Sequence, residues 1–150
     1  MIIYFDNCAI QRPLDNRSNL RVRVEAEAVI ALLELIEDGS LMMVSSDVLF
    51  YELSKTPDPE RVSYGMKFLS LGNTTLSLNK QTVSMAKFFV SKGLKPVDAL
   101  HLAIASENNI DYFCTCDDRF IKRSKEISLI KTRVLLPTEL LNQALKWIRK

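Results

Sequence analysis

The sequence predicts an α/β fold with a central, mainly parallel sheet flanked by helices, and three observations support this fold class. Short, β-prone apolar runs alternate along the chain with longer stretches of helical periodicity, a pattern typical of βαβ units. The length of 150 residues and the 47% of hydrophobic residues suit one folded unit with one core. The sequence has no internal repeat, low-complexity tract or linker, so we expect a single domain over residues 1–150.

The first half of the chain alternates strands and helices. The predicted elements are, in order, a strand at 2–5, a polar loop at 11–19, a long helix ended by Gly39, a strand at 41–44, a helix carrying Glu52, a helix from Pro59 to about residue 71, and a strand at 75–78. Apolar residues spaced i, i+3, i+4, i+7 over residues 29–36 indicate the long helix. Ser45, Ser46 and Asp47 supply N-cap chemistry for the helix that follows the second strand.

The second half continues the alternation. Its predicted elements are a helix at 79–92, a helix that begins at Pro96, a strand at 112–116, a basic helix or turn, strands at 127–130 and 134–136, and a final helix from Pro137. Gly93 ends the first of these helices and Pro96 begins the next. In residues 97–105 only Asp98 and His101 are polar, so we expect this helix to be buried.

Charge and composition exclude several classes of protein. The net charge of +2 is too small to demand an anionic partner, and we interpret the basic residues between Arg119 and Arg133 as a solvated helix face. No apolar run approaches the roughly 20 residues that a membrane-spanning helix requires, and the first residues lack a signal peptide, so we expect a cytoplasmic protein without membrane contact. The odd number of cysteines, Cys8, Cys114 and Cys116, indicates small core residues rather than disulfides.

Four acidic residues stand where carboxylates are costly to place. They are Asp6 after the first strand, Glu52 in the helix after the second strand, Asp98 in an apolar helix and Asp117 after a later strand. Singly, each has a structural explanation such as a turn, a cap or a solvated side chain. Together, at the carboxyl edge of a parallel sheet, each close pair would repel by roughly 4 kcal/mol. Such a cluster needs either raised pKa values or a divalent cation, and oxygen ligands favour Mg²⁺ or Mn²⁺.

Four stretches give the chain a resemblance to a known family. They are residues 3–6 (IYFD), 45–53 with Glu52, 96–103 (PVDALHLA) and 115–120 (TCDDRF). In this order and spacing they resemble a PIN-domain nuclease, similar to the toxin ribonucleases of toxin–antitoxin pairs, and the match covers nearly the whole chain. The resemblance implies a three-layer PIN-like fold, bound Mg²⁺ or Mn²⁺, and hydrolysis of RNA phosphodiester bonds. It also implies that Asp6, Glu52, Asp98 and Asp117 bind the metal and are the catalytic residues.

Further residues are candidates for contact with the substrate: Asn7, Arg12, Thr115, Asp118 and Arg119. Asn7 stands where many PIN-domain relatives carry Thr or Ser, and its amide can still hydrogen-bond a water or a phosphate. Arg12 lies in the predicted polar loop, close in sequence to Asp6. Asp118 is also an alternative to Asp117 as the fourth metal ligand, because adjacent residues leaving a strand point in different directions. The spacing typical of the family favours Asp117.

His101, the only histidine, suits two roles. It follows Asp98 by one helical turn, so it is placed either to act as a base or to form a hydrogen bond within the core, and we favour the core role. A zinc site is not expected, because only Cys8 and His101 remain to complete one with Cys114 and Cys116.

Other phosphate chemistries lack their signatures in this sequence. An aspartyl-phosphate hydrolase of the haloacid-dehalogenase type needs an Asp where Cys8 stands, and no glycine-rich phosphate loop is present. A non-catalytic PIN-like module that binds RNA or protein stays open as the alternative function. The resemblance also implies RNA as substrate, a homodimer, and a small antitoxin protein as partner.

Overall fold

The computed structural model describes residues 1–149 and contains one sheet of five strands. The strands are β1 (Ile2–Phe5), β2 (Met42–Ser46), β3 (Thr75–Leu76), β4 (Tyr112–Cys114) and β5 (Arg133–Leu135). Their order in the sheet is β3-β2-β1-β4-β5, and every neighbouring pair is parallel. The predicted α/β class with a central parallel sheet is confirmed.

Helices flank the sheet to complete a three-layer fold. Over residues 1–149 they are α1 (Asn7–Gln11), α2 (Leu20–Glu37), α3 (Asp47–Ser54), α4 (Pro59–Leu69), α5 (Lys80–Ser91), α6 (Pro96–Glu107), α7 (Asp118–Lys125) and α8 (Pro137–Ile148). A 3₁₀ turn over Arg12–Leu14 follows α1. α2 packs against α8, and α5 packs against α6. In the described part of the chain, no helix has both the length and the apolar character needed to cross a bilayer.

β1 lies at the centre of both the sheet and the core. Its residues Ile3, Tyr4 and Phe5 are fully buried. Ile3 pairs with Met43 of β2 on one side, and Tyr4 pairs with Phe113 of β4 on the other. The Tyr4 ring also stacks on that of Phe113, with 5.2 Å between the ring centroids. Because both faces of β1 are covered, its sequence is a continuous apolar run.

The helix ends follow the capping chemistry expected from the sequence. The Ser46 hydroxyl accepts a hydrogen bond from the Leu49 N–H at the start of α3, and the Asn79 side chain accepts one from the Thr82 N–H at the start of α5. After α2 the chain turns at Gly39 with φ of 84°, a left-handed conformation that favours glycine. These boundaries of the predicted helices are confirmed.

One prediction of local structure is wrong, and one short helix was not predicted. Residues 127–130, predicted as a strand, form a turn after α7, in which the Ile130 N–H donates to the carbonyl of Ile127. Leu129 in this turn is 77% exposed, so the apolar run lacks the burial that a sheet strand needs. The helix that was not predicted is α1, which begins directly after Asp6 because the Asp6 carboxylate caps it.

The parallel topology brings the carboxyl ends of the strands to one edge. Asp6 directly follows β1, Asp117 lies in the turn between β4 and α7, and β2 runs straight into α3, which carries Glu52. The chain leaves β1 toward β2 on one side and reaches β4 on the other, and such a switch point creates a crevice outside the carboxyl ends of the strands. The candidate site lies in this crevice.

Candidate active site

A cleft of about 430 Å³ opens at the carboxyl edge of the sheet. It gathers the acidic residues that the sequence singled out, from the end of β1, from α3, from α6 and from the turn before α7. These lining residues are Asp6, Glu52, Asp98 and Asp117. Carboxylates that are far apart in the sequence therefore meet at one concave surface.

Asp6 is held in place by the helix that follows it. The residue is 5% exposed, and its Oδ1 accepts hydrogen bonds from the Ala9 N–H and from the Cys8 thiol, each at 3.0 Å. Burial raises the pKa of the Asp6 carboxyl well above its ordinary value, Cys8 adds to the rise, and the hydroxyl of Thr115 acts against it. A cation beside Asp6 would favour the charged carboxylate and so reverse the effect of burial.

Glu52 lies at the end of a series of hydrogen bonds that begins in the core. Its Oε1 contacts Nε2 of His101, whose Nδ1 contacts the hydroxyl of Tyr4. The Tyr4 hydroxyl also hydrogen-bonds the Ser46 hydroxyl at 2.7 Å, and Ser46 caps α3, the helix that carries Glu52. His101 is 1% exposed. It is thus a hydrogen-bonded core residue that also contacts a carboxylate of the cleft.

Asp98 and Asp117 reach the cleft from the starts of two helices. Asp98 is half-buried in the first turn of α6. Asp117 caps α7, and its Oδ1 accepts from the N–H groups of Arg119 at 2.9 Å and Phe120 at 3.2 Å. Burial raises the pKa of Asp98, and the negative charges of Asp117 and Glu52 add to the rise. Asp117 and Glu52 therefore repel the Asp98 carboxylate across the cleft, while His101 and Lys95 act against this repulsion.

The ligand chemistry of the cleft suits a hard divalent cation, although the side chains are not arranged around one. Carboxylate oxygens are the ligands that Mg²⁺ and Mn²⁺ prefer, and a cation would offset the repulsion at Asp98. Within residues 1–149, no group of three or more His, Cys, Asp or Glu side chains has an arrangement that would hold a metal ion. Asp6 and Asp117 bind backbone N–H groups instead, and Glu52 binds His101. Side-chain rotations would have to bring the carboxylates together around an ion.

Comparison with known proteins decides the family. A sequence model of the PIN domain matches residues 20–126, which is more than half of the chain. The chain belongs to the PIN domain family. The members of this family are nucleases. A comparison with curated protein sequences finds no match.

The PIN fold of the chain is similar to solved structures whose sequences differ strongly from it. It matches VapBC-1 from nontypeable Haemophilus influenzae with a TM-score of 0.58 and 17% identity, over 92% of this chain and 99% of that chain. VapBC2 from Rickettsia felis, bound to a DNA fragment from its promoter, matches with a TM-score of 0.56 and 16% identity, over 91% and 98%. PAE2754 from Pyrobaculum aerophilum matches with a TM-score of 0.57 and 15% identity, over 97% and 99%. At these identities the likeness shows the fold alone.

Three of the candidate substrate contacts of this PIN domain lie in or beside the cleft. Asn7 lines the cleft itself, and Arg119 lines a smaller groove next to it. Thr115 is fully buried, and its Oγ1 accepts a hydrogen bond from the Asp117 N–H at 3.2 Å. Thr115 therefore supports the turn that presents Asp117 rather than lining the cleft surface.

The other two candidate substrate contacts, Arg12 and Asp118, are held by ion pairs and do not line the cleft. The guanidinium of Arg12 lies 3.1 Å from the buried carboxylate of Glu25. Asp118 lies 2.6 Å from Arg21, and this partner lowers the pKa of Asp118. Asp117, the preferred one of the two adjacent aspartates, is therefore the one that faces the other carboxylates.

Six residues for which the sequence predicted no role in the site also line the cleft: Cys8, Gln11, Asp15, Thr56, Arg61 and Lys95. Lys95 directly precedes the motif that contains Asp98, so its closeness to the site was readable from the sequence. Arg61 comes from α4 and lies 2.8 Å from Asp15, a contact that no sequence spacing indicates. The expectation that Cys8 is a core residue is wrong, because α1 turns it to the exposed cleft surface. Cys114 and Cys116 are buried as expected.

A larger hollow of about 660 Å³ lies at the opposite edge of the sheet, where the strands begin. It is lined by residues such as Met1, Tyr112, Arg133 and Trp147, and Asp111 is its one acidic lining residue. The Asp111 carboxylate accepts a hydrogen bond from the Ile2 N–H at 2.8 Å. Size alone favours this hollow, but the convergence of carboxylates places the candidate active site in the smaller cleft.

Proposed function

We propose that this PIN domain is a metal-dependent endoribonuclease that hydrolyses RNA phosphodiester bonds, and that it is the toxin of a toxin–antitoxin pair. The observation that carries the proposal is the convergence of Asp6, Glu52, Asp98 and Asp117 on one cleft at the carboxyl edge of the sheet. Membership of a nuclease family supports the reaction class. The proposed active unit is the single domain over residues 1–150.

Asp6, Glu52, Asp98 and Asp117 would hold Mg²⁺ or Mn²⁺ in this cleft. When bound, the divalent cation supplies Lewis acidity, which favours attack of water on phosphorus and offsets charge on the departing ribose 3′ oxygen.

The protein contributes chiefly by holding its carboxylates in place. α1 fixes Asp6, α7 fixes Asp117, and His101 orients Glu52. Each acid thus lies in or at the start of a helix that fixes its backbone, so side-chain rotation alone would bring the carboxylates toward an ion.

We assign the substrate contacts in part to residues of the cleft surface. Asn7 lines the cleft and presents an amide that hydrogen-bonds water or phosphate oxygens. Arg119 supplies a positive charge beside the cleft. Thr115 contributes indirectly, because its hydroxyl accepts a hydrogen bond from the Asp117 N–H and so stabilises the turn that holds Asp117. Arg12 and Asp118 contribute through their ion pairs to the shape of the surrounding surface.

RNA, a second copy of the chain and a small antitoxin protein are the partners that this function implies, in the cytoplasm. Two of the similar structures are VapBC assemblies, and a third is FitAB bound to a DNA fragment. A negatively charged cleft suits a Lys or Arg side chain inserted by a bound antitoxin peptide, because such a cation would offset the repulsion at Asp98 as a metal ion would.

A second candidate function is a non-catalytic PIN-like module that binds RNA or protein. The observation that favours it is the lack, over residues 1–149, of three ligand side chains arranged to hold an ion. The two functions differ in whether the carboxylates come together to hold an ion, so a measurement of metal-dependent activity separates them.

The test is cleavage of a mixed-sequence single-stranded RNA by the purified full-length chain in Mg²⁺, Mn²⁺ or EDTA. Asp98→Asn is the test variant, and Asp47→Asn is the matched control, since Asp47 is an exposed aspartate of α3 that does not line the cleft. We expect metal-dependent cleavage by the wild type and by Asp47→Asn. Asp98→Asn should lose activity by at least roughly 100-fold, because removing a metal ligand costs more than removing a residue that supports one.

Asp98→Asn should remain folded and gain stability without metal, because it removes a negative charge from a repelling cluster. No cleavage by folded wild-type protein with any metal would contradict the nuclease proposal and favour the binding module.

A further inference from the structure

A basic groove continues from the carboxylate cleft. It has a volume of about 210 Å³ and lies between the start of α6 and one face of α7. Lys95, Asp98 and Asp117 line both the cleft and the groove. Arg119 and Arg123 line only the groove. A chain-like ligand bound at the carboxylates would therefore pass directly into this groove.

The cations of the groove share one surface because of helix geometry. Arg119 and Arg123 are four residues apart on α7, so their side chains lie on the same face. Lys122 and Lys125 of the same helix line a different surface depression, beside Asp118. The basic face of α7 is thus divided, and only one part of it meets the cleft.

The groove cations are available to bind an anion. Over residues 1–149, neither Lys95 nor Arg119 has an ion-pair partner. The one partner of Arg123 is Glu126, at 3.9 Å, and both side chains are about half exposed. Such an exposed pair contributes little to stability and competes weakly with a ligand.

The side chain of Arg123 passes over Gly93, which also lines the groove. The φ of Gly93, 106°, is in the left-handed region that favours glycine. A Cβ at Gly93 would lie 3.4 to 3.5 Å from the Cδ, Nε and guanidinium atoms of Arg123, so the arginine side chain runs across the bare glycine backbone. Gly93 and the Arg123 guanidinium therefore form adjacent parts of the groove wall.

We propose that Lys95, Arg119 and Arg123 form a phosphate-binding subsite for the RNA strand, next to the position where the strand is cut. The inference rests on the proposed nuclease function. Arginine forks and a lysine ammonium bind phosphate oxygens through charge-assisted hydrogen bonds. The apolar residues of the groove, Leu94 and Phe120, are buried in the floor, so no exposed ring is available for base stacking. The subsite therefore holds the backbone of the strand without reading its sequence.

The test measures binding of a labelled mixed-sequence single-stranded RNA to the full-length chain in EDTA, where metal-dependent cleavage is absent. The groove variant is Lys95→Gln, Arg119→Gln, Arg123→Gln. The matched control is Lys87→Gln, Lys122→Gln, Lys125→Gln, which removes the same charge from exposed positions outside the groove. Fluorescence anisotropy over a series of salt concentrations gives the Kd and its salt dependence for each protein.

We expect the groove variant to bind RNA roughly 10-fold more weakly, with the slope of log Kd against log salt reduced by about 2, since three cations each contribute about 0.7 for a single strand. The control should stay within about 2-fold of the wild type. Equal losses in both variants would overturn the subsite, because they would reflect net charge alone. Unchanged RNA binding by the groove variant, with loss of polyglutamate binding, would reassign the groove to an acidic protein.

Failure of the subsite and failure of the nuclease proposal give different results. If the wild type cuts RNA and the groove variant binds and cuts RNA as the control does, the subsite is wrong and the nuclease proposal stands. If the folded wild type neither binds nor cuts RNA, the nuclease proposal fails and the subsite fails with it. Thermal unfolding of each variant confirms that the surface substitutions leave the fold intact.

Discussion

His101 links the buried core to the carboxylates of the cleft. We expect His101→Phe to keep the ring while removing the contact with Glu52. Residues that orient metal ligands typically contribute 10–100-fold to metal affinity, so the Mn²⁺ concentration for half-maximal RNA cleavage should rise by about 10-fold. Val97→Ala, at an exposed position of the same helix, is the control. An unchanged Mn²⁺ requirement in His101→Phe would mean that the histidine serves only the core.

The sequence indicated the cleft acids but not their partners. Asp6 was recognisable because a charged residue directly follows a buried apolar strand, and Asp98 because it interrupts an apolar helix. The link from Glu52 through His101 to Tyr4 joins residues 49 and 97 positions apart, so no local spacing reports it. The sequence also could not show that Arg12 is a structural residue and not a substrate contact, because its ion pair with Glu25 forms only in the folded protein.

Asp117 has a structural role as the N-cap of α7 and a proposed chemical role as a metal ligand, and two substitutions separate these roles. Asp117→Ala removes the acceptor of the Arg119 and Phe120 N–H groups, so we expect it to lower the free energy of unfolding by about 1 kcal/mol. Asp117→Asn keeps a capping oxygen and removes the repulsion with Asp98, so it should be at least as stable as the wild type without metal. Urea unfolding measures the contribution of the cap to stability, and RNA cleavage in Mn²⁺ measures the contribution of the Asp117 charge to activity.

Both Asp117 variants should lose metal-dependent cleavage, because each removes the negative charge that the ion requires. Retained cleavage in Asp117→Asn would assign Asp117 to capping alone. No loss of stability in Asp117→Ala would mean that the cap contributes little and that α7 is held by packing of Phe120 and Ile121 in the core.

Element boundaries were predictable where turn chemistry is strong. Pro59 and Pro96 begin helices, and Gly39 and Gly93 occupy left-handed turns, as their restricted or permissive backbones indicate. The strand predicted at 127–130 is absent from the structure. Its short apolar run contains no turn signal, so the sequence does not distinguish a strand from a turn with one buried residue. α1 is too short to show helical periodicity and was therefore missed.

The topology of the whole molecule is what brings distant acids together. In a parallel sheet every strand ends at the same edge, so acids that follow strands or lie in the next helix converge there whatever their separation in sequence. This explains why the neighbourhood of Asp6, Glu52 and Asp117 was predictable before any contact was known. The orientation of the carboxylates was not predictable, because it depends on which N–H groups each acid meets. The groove beside the cleft likewise depends on the fold, since its lining residues come from α7 and from the start of α6.

The most direct test of the central claim is a crystal structure of the wild-type protein grown with Mn²⁺ and measured for anomalous scattering. We expect one anomalous peak in the cleft, within coordination distance of oxygens from at least two of Asp6, Glu52, Asp98 and Asp117, with the side chains rotated toward it. Crystals of Asp98→Asn grown under the same conditions should show a weaker anomalous peak in the cleft, or none. Mn²⁺ bound elsewhere on the molecule, with Asp6 and Asp117 still on their backbone donors and Glu52 still on His101, would contradict the metal site and the nuclease mechanism built on it.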